Sequence, residues 1–255
     1  MADPLESILA ARRAVAILAP VPPGDAPADL AAGYALQRRL AERWGEVPPA
    51  GFKIGATAQH MQRYLGLGGP VAAFVGRSGL REREGSFRFA DHVEPGVECE
   101  IGLRLARDIP FGTHAPASLA DSVGEVFAAI EVVDRRYNDL GLLGTPMLVA
   151  DQVFHAGGVT GAPAPGWRAL DLAGTRGHIE VDGSFVHEGL GAELLGHPLN
   201  ALAWLAGSGA AEAFGGLRAG QVVFLGSVTP PIWLEGRCTV RAAFEGLGEA
   251  VARFE

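Results

Sequence analysis

The chain has 255 residues, 48% of them hydrophobic, with 21 basic and 29 acidic side chains and a net charge of −8. That length and apolar content suffice for a full core in one domain with an accessory segment. The acidic balance argues against nucleic acid or an anionic membrane as partner and points to a small ligand. Only Cys99 and Cys238 are present. Both lie in apolar, strand-like surroundings where a free thiol packs as a small hydrophobe, which fits a reducing cytoplasm. The opening Met-Ala-Asp-Pro-Leu-Glu lacks a basic start followed by an apolar core. No run nears the roughly 20 apolar residues that span a bilayer, so a cytoplasmic location is expected.

The first fifth reads helical. Leu5, Ile8, Ala11, Val15 and Leu18 recur at three- and four-residue steps before the Pro-rich break at 19–24, which cannot continue a helix. A second helix is expected from Asp25 as cap, with Pro27 in its first turn, Leu36, Leu40 and Trp44 on one face and Gly45 as the stop. A short amphipathic piece over 58–65 ends in glycines 66, 68 and 69. From about residue 74 the period moves toward two. Strands are expected at Phe87–Phe89, Val97–Leu105, Ile130–Arg135, His178–Val186, Gln221–Leu225, Cys238–Phe244 and Val251–Phe254. The pair Asp182-Gly183 marks a type I′ hairpin, which needs positive φ at both central positions. Two helices interrupt the strands, at Leu119–Ala129 and from His197-Pro198 to Gly207. The pattern divides into a helical region, 1–73, and a β-rich region, 74–255.

Glu98 and Glu100, in Val-Glu-Cys-Glu-Ile-Gly-Leu, carry the most chemistry. On a strand, residues i and i+2 share a face, so both carboxylates converge while Cys99 turns away. Such a pair is ordinarily a solvated strand face. Here Ile101, Leu103 and Leu105 continue an apolar run, and a further acid, Glu131, stands in Phe-Ala-Ala-Ile-Glu-Val-Val-Asp, where it needs a partner or a proton. Arg135 would serve as that partner in a purely structural reading. Three such carboxylates suit Mg²⁺, Mn²⁺ or Ca²⁺ and do not suit zinc. Lys53, between glycines and apolar neighbours, either neutralises a substrate carboxylate or packs its stem and sends its head to water. Asp151 and His197 read first as caps of local backbone. The glycines at 189, 191 and 196 do not fit a dinucleotide loop, and the chain has no Walker sequence, no His-Glu-x-x-His and no Gly-x-Ser-x-Gly.

In order, Gly51-Phe-Lys-Ile-Gly-Ala-Thr57, Val97-Glu-Cys-Glu-Ile101, Ala129-Ile-Glu-Val-Val-Asp134, Ala150-Asp151, Leu195-Gly-His-Pro-Leu-Asn-Ala-Leu-Ala-Trp-Leu205 and Leu225-Gly-Ser-Val-Thr-Pro230 resemble one known group. It is the 2-keto-4-pentenoate hydratase and 2-oxo-3-hexenedioate decarboxylase branch of the fumarylacetoacetate hydrolase superfamily. The resemblance covers nearly the whole chain. It implies an α+β fold, a mixed β-roll with a helical N-terminal region. It also implies Mg²⁺ or Mn²⁺ held by Glu98, Glu100 and Glu131, with Lys53 assisting charge balance. The implied substrate is a small 2-oxo or 2-hydroxydienoic acid, with Ser227 and Thr229 as candidate contacts. The implied reaction is hydration of a 2-hydroxy-2,4-dienoate to a 4-hydroxy-2-oxo acid. The rivals are decarboxylation of a 2-oxo-hexenedioate and a metal-binding partner subunit without turnover. A homo-oligomer, or a complex with a related enzyme of the family, is also implied. Two features depart from the group's pattern. The acid usually found after a proline is missing at Gly69-Pro-Val-Ala-Ala-Phe74, and Gln152-Val-Phe-His155 replaces the usual Asn and small Ser residues after Asp151. His155 is therefore the expected substitute acid or base, beside Lys53 and Asp151.

Overall fold

The computed structural model describes residues 3–58, 61–63 and 66–255. Helix α1 (Pro4–Ala14) is capped by Asp3, whose side chain accepts from Leu5 N, and it ends where Val15 turns left-handed. Helix α2 (Leu30–Arg43) begins at Asp29, whose carboxylate accepts from Ala32 N. The expected cap, Asp25, instead sits in a turn, its N–H donating to Pro22 O. The chain is extended at Asp29, which lets that side chain reach the first turn. Gln37 pins α2 to the body: its amide donates to Ala72 O and Val149 O and accepts from Phe74 N, all buried. The expected helical piece over 58–65 lies partly outside the described residues, with 61–63 helical.

Two sheets form the body. The larger joins β1 (Gly51–Gly55), β2 (Val71–Val75), β3 (Leu80–Glu82), β5 (Pro95–Leu105), β6 (Val123–Asp134), β7 (His155–Thr160), β10 (Val222–Ser227) and β11 (Ile232–Trp233). Its order is β2-β1-β10-β5-β6-β7-β3, with β11 on β5. The smaller, in order β4-β13-β12-β8-β9, joins β4 (Glu84–Phe87), β8 (Arg176–Val181), β9 (Ser184–Leu190), β12 (Cys238–Phe244) and β13 (Gly248–Phe254). Pairs β1/β10, β3/β7 and β4/β13 are parallel and the others antiparallel. Short helices α3 (Leu140–Leu143), α4 (Thr145–Ala150), α5 (Pro198–Ala206) and α6 (Gly209–Phe214) fill the connections. The smaller sheet packs through β12 and β13 onto β5 and β6, and one continuous core runs from α1 to β13. Asp182 and Gly183 both have positive φ, as the hairpin signal requires. Helix α5 starts at Pro198 behind a His197 side chain that accepts from Leu199 N.

Three expectations change. The helix expected at Leu119–Ala129 is a 3₁₀ segment, Pro116–Ser122, followed by β6. This strand lies between β5 and β7 and is buried on both faces, so its apolar run has no alternation to distinguish it from a helix. Phe89 leaves the expected strand at Phe87–Phe89: β4 stops at Phe87 and Phe89–Asp91 is a 3₁₀ turn. The boundary expected at residue 73 falls inside β2, and β1 already belongs to the large sheet. Both strands are short and almost wholly buried, which erases the period of two.

Candidate metal centre

The register of the large sheet brings the acids together. Glu98 lies directly opposite Glu131 across β5/β6, and Glu100 pairs with Ser227 across the irregular stretch of β10. One oxygen from each of Glu98, Glu100 and Glu131 lies within 4.8 Å of the others. Glu100 and Glu131 are fully buried and Glu98 is half-buried. The break in β10 has a local cause. Gly226 adopts φ +110°, and its N–H donates to Glu100 Oε2 at 2.8 Å. A Cβ at Gly226 would come within 2.6 Å of Thr57, so only glycine serves there.

Lys53 of β1 reaches the same point. Its Nζ lies 3.2 Å from Glu131 Oε1 and donates to Val153 O at 2.7 Å. The ring of His155 approaches the same Glu131 oxygen through Nδ1 at 2.8 Å. Three carboxylates thus share one buried ammonium. Burial, and then the charge of Glu131, pushes the Glu98 carboxyl up to about 8, and burial with both neighbouring acids holds Glu100 well above the usual range. For Glu131, burial works upward, but Lys53 and the His155 hydrogen bond outweigh it, so it stays below its ordinary value.

Two carboxylate oxygens, Glu100 Oε1 and Glu131 Oε2, are buried without a hydrogen-bond partner. Buried polar atoms in a folded protein are normally satisfied, so the pair is suited to meet a positively charged ligand. An all-oxygen donor set with excess negative charge fits a hard divalent cation, and no His or Cys belongs to it.

A cavity of about 360 Å³ is bordered by Glu98 and Lys53. Val133, Leu140, Val153, Phe154, Arg135 and Trp233 line the rest of it. A second lobe of about 240 Å³ shares Glu98 and adds Thr57, Ser227, Thr229 and Glu193. Ser227 Oγ donates to Thr229 O at 2.7 Å, whereas Thr229 Oγ1 is buried with no partner. Arg135 Nε donates to Glu94 Oε2 at 2.7 Å, and the guanidinium stacks over Trp233 at 4.7 Å. Glu131 is therefore partnered by Lys53 and His155, while Arg135, its alternative partner in the structural reading, bonds Glu94.

The other expected residues lie outside this cavity. Asp151 is buried in a separate cluster, where Arg12 Nε (2.5 Å), Arg136 Nη2 (3.1 Å) and the Tyr137 hydroxyl (2.5 Å) all meet its carboxylate. His155 stands behind Glu131 and faces a different cavity, lined also by Arg12, Trp44 and Gln152. Between them, Gln152, Val153 and Phe154 have φ of 62°, 51° and 66°. Left-handed backbone costs a residue with a side chain roughly 1–2 kcal/mol, so three in succession need support from their surroundings. Sequence reading missed Arg12, Glu193 and Trp233. Arg12 sits on the polar side of a helix pattern, Glu193 carries no motif, and Trp233 stands in a two-residue strand.

Fold and site together define an α+β protein whose sheet presents three converging carboxylates, one of them lining a cavity of small-molecule size. Residues 59–255 match the family described as fumarylacetoacetate (FAA) hydrolase C-terminal, and the chain belongs to this family. It is 34% identical over 257 residues to the 2-keto-4-pentenoate hydratase of Burkholderia vietnamiensis (strain G4 / LMG 22486), covering 100% of this chain and 96% of that one. Two solved structures of 4-oxalocrotonate decarboxylase from Pseudomonas putida G7 superpose on it. One, complexed with magnesium and adipate, is 24% identical with a TM-score of 0.86. The other, complexed with calcium and acetate, is 25% identical with the same TM-score, and each match covers 99% of this chain and 96% of that one. Among the described residues no helix is long and apolar enough to cross a membrane.

Proposed function

We propose that this protein is a divalent-metal-dependent lyase, a hydratase that converts a 2-hydroxy-2,4-dienoate into a 4-hydroxy-2-oxo acid. The observation that carries this reading is the pair of orphaned oxygens on Glu100 and Glu131, clustered with a Glu98 that lines an apolar-walled cavity beside Lys53. Glu98, Glu100 and Glu131 would hold Mg²⁺ or Mn²⁺. Once bound, that ion supplies Lewis-acid polarisation of the substrate's 2-oxygen. Lys53, fixed between Glu131 and Val153 O, places a buried positive charge beside the substrate carboxylate. The wall of Val133, Leu140, Val153 and Phe154 packs against one side of the diene, leaving water to reach it from another. Thr229 Oγ1, unpartnered and next to Ser227 in the second lobe, contributes a hydroxyl to the substrate or to the incoming water. His155 acts through Glu131, holding its carboxylate in place.

The reaction balances without a redox partner. The enol O–H proton is lost as C5 gains a proton, giving a 2-oxo-3-enoate, and water then adds its hydroxyl at C4 and a proton at C3. The decarboxylase reading retains one supporting observation: Arg135 lines the cavity and could meet a second substrate carboxylate. Ultraviolet decay of 2-hydroxypenta-2,4-dienoate and of 2-oxo-3-hexenedioate, each with Mg²⁺, Mn²⁺ or chelator and with products identified, separates the two. The expected result is metal-dependent loss of the monocarboxylate to 4-hydroxy-2-oxopentanoate. Metal-dependent release of CO₂ from the dicarboxylate, with the monocarboxylate untouched, would replace hydratase by decarboxylase.

A further inference from the structure

We propose that Arg12, on the N-terminal helix and remote from the cavity wall, is a positioning residue for the candidate site: it fixes the left-handed turn at Gln152–Phe154 that sets the Lys53 amine. The chain of contacts is continuous. Arg12 Nε and Nη2 grip Asp151 at both the side chain (2.5 Å) and the backbone oxygen (2.9 Å). Arg136 and Tyr137 hold the second carboxylate oxygen, and Arg136 also reaches Asp134 at 3.3 Å. Asp151 is thereby immobilised at the end of α4, one residue before three successive residues with positive φ.

The turn has few ways to relax. Gln152 donates to Phe74 O at 2.8 Å, Val153 N to Leu148 O at 2.8 Å, and Phe154 O accepts from Asp134 N at 2.8 Å. The Phe154 ring packs edge-on to Tyr137, whose hydroxyl is part of the Asp151 cluster. What the turn delivers is specific: Val153 O is an acceptor for Lys53 Nζ, and the side chains of Val153 and Phe154 form cavity wall. A more ordinary backbone at 152–154 would withdraw that carbonyl and re-aim both side chains. Arg12 is the one member of this clamp supplied by α1, and its side chain, 17% exposed, also lines the open cavity behind His155. A side-chain analogue from solution can therefore reach its place.

The inference rests on the catalytic reading of Lys53, so the test has one arm that needs no turnover. Arg12→Ala is compared with the native chain, with Arg12→Lys, and with Ile8→Ala, which loosens α1 through its buried face without touching the clamp. In metal-free protein, hydrogen exchange at the Val153 and His155 amides should accelerate by about tenfold or more in Arg12→Ala, and not in Ile8→Ala. With Mn²⁺ and 2-hydroxypenta-2,4-dienoate, kcat should fall by roughly 10- to 100-fold with Mn²⁺ affinity retained. Lysine should restore part of that loss, and methylguanidinium should restore more of it than methylammonium does. Unchanged exchange at 153 and 155 would overturn the proposal whatever the substrate is. So would faster exchange with kcat intact, or an equal kcat loss in Ile8→Ala. If the native chain turns over no dienoate, the hydratase reading fails separately, and the exchange arm together with oxalate affinity of the Mn²⁺-loaded protein decides the role of Arg12. Weaker oxalate binding in Arg12→Ala supports that role, and equal binding removes it.

Discussion

Two clusters of buried charge share strand β6 and were built to opposite ends. Around Glu131, three carboxylates face one lysine, and two oxygens have no partner. Around Asp134 and Asp151, two carboxylates meet two guanidinium groups, a tyrosine hydroxyl and the N–H groups of Val93 and Glu94. The second cluster balances in charge and leaves no oxygen orphaned among the described residues. The first balances only if carboxyls keep protons or a cation enters. An incomplete cluster is what a binding site looks like before its ligand, and a complete one is what a scaffold needs. Glu131 and Asp134 are three residues apart on one strand, so they leave opposite faces of the sheet.

The comparison breaks most visibly at the incomplete cluster. Glu100→Gln or Glu131→Gln should abolish metal-dependent turnover, a loss of roughly 1,000-fold or more, because a Lewis acid contributes several kcal/mol to such a step. Folding should change little in Glu100→Gln, where a carboxyl that already resists ionisation is replaced by a neutral group, whereas Glu131→Gln also takes the counter-charge from Lys53 and should lower the midpoint. A steady-state assay beside a denaturant midpoint checks both halves. At the complete cluster the balance of effects reverses. Asp151→Asn leaves Arg12 without its counter-charge and Arg136 with Asp134 alone, and should cost about 3–5 kcal/mol of stability, read from the same midpoint. A variant as stable as the native chain would contradict the scaffold role.

Smaller effects sharpen the contrast. His155→Ala removes the imidazole that steadies Glu131 and should weaken Mn²⁺ binding roughly 10- to 100-fold without abolishing it. The two clusters should also respond to pH in opposite directions. Glu98 is raised from 4.5 to about 8 in the metal-free fold. The native state therefore holds more protons than the unfolded chain between those values, and metal-free stability should fall as pH rises through that window. Asp151 is held below its ordinary 3.8: burial works upward, but Arg12, Arg136 and the Tyr137 hydrogen bond outweigh it. Its contribution is present above that value and lost as pH falls toward and through its depressed folded value. Denaturant midpoints across pH, with and without Mn²⁺, measure both slopes, and saturating metal should flatten the first alone. The exposed pair Arg253–Glu84, at 3.2 Å, serves as the reference for ordinary surface charge. Arg253→Ala should change stability by less than about 1 kcal/mol.

The difference between the clusters also explains what the sequence made legible. Glu98 and Glu100 announce themselves because the period of a strand puts i and i+2 on one face. Glu131 stands out as an acid in an apolar run. The balanced cluster gives no such signal. Arg12 looks like solvent-facing helix, and Asp151 is separated from its partners by 139 and 15 residues, so long-range packing alone reveals its role. Asp151 and His155 were drawn to the site by the family pattern, and the structure places both one layer behind it. The helix expected at Leu119–Ala129 failed for a related reason. A strand buried on both faces has no periodicity to read, and the hydrogen bonds that define β6 come from β5 and β7, far away in the chain. His197-Pro198 and Asp182-Gly183 were readable because cap and turn chemistry is local.

The measurement that tests the central claim most directly is a Mn²⁺ titration followed by electron paramagnetic resonance, on the native chain and on Glu100→Gln at near-neutral pH. One tightly bound ion per chain, with release of protons on binding and a large loss of affinity in the variant, is the predicted result. No binding by the native chain, or undiminished binding by Glu100→Gln, would contradict the claim that Glu98, Glu100 and Glu131 form a metal centre.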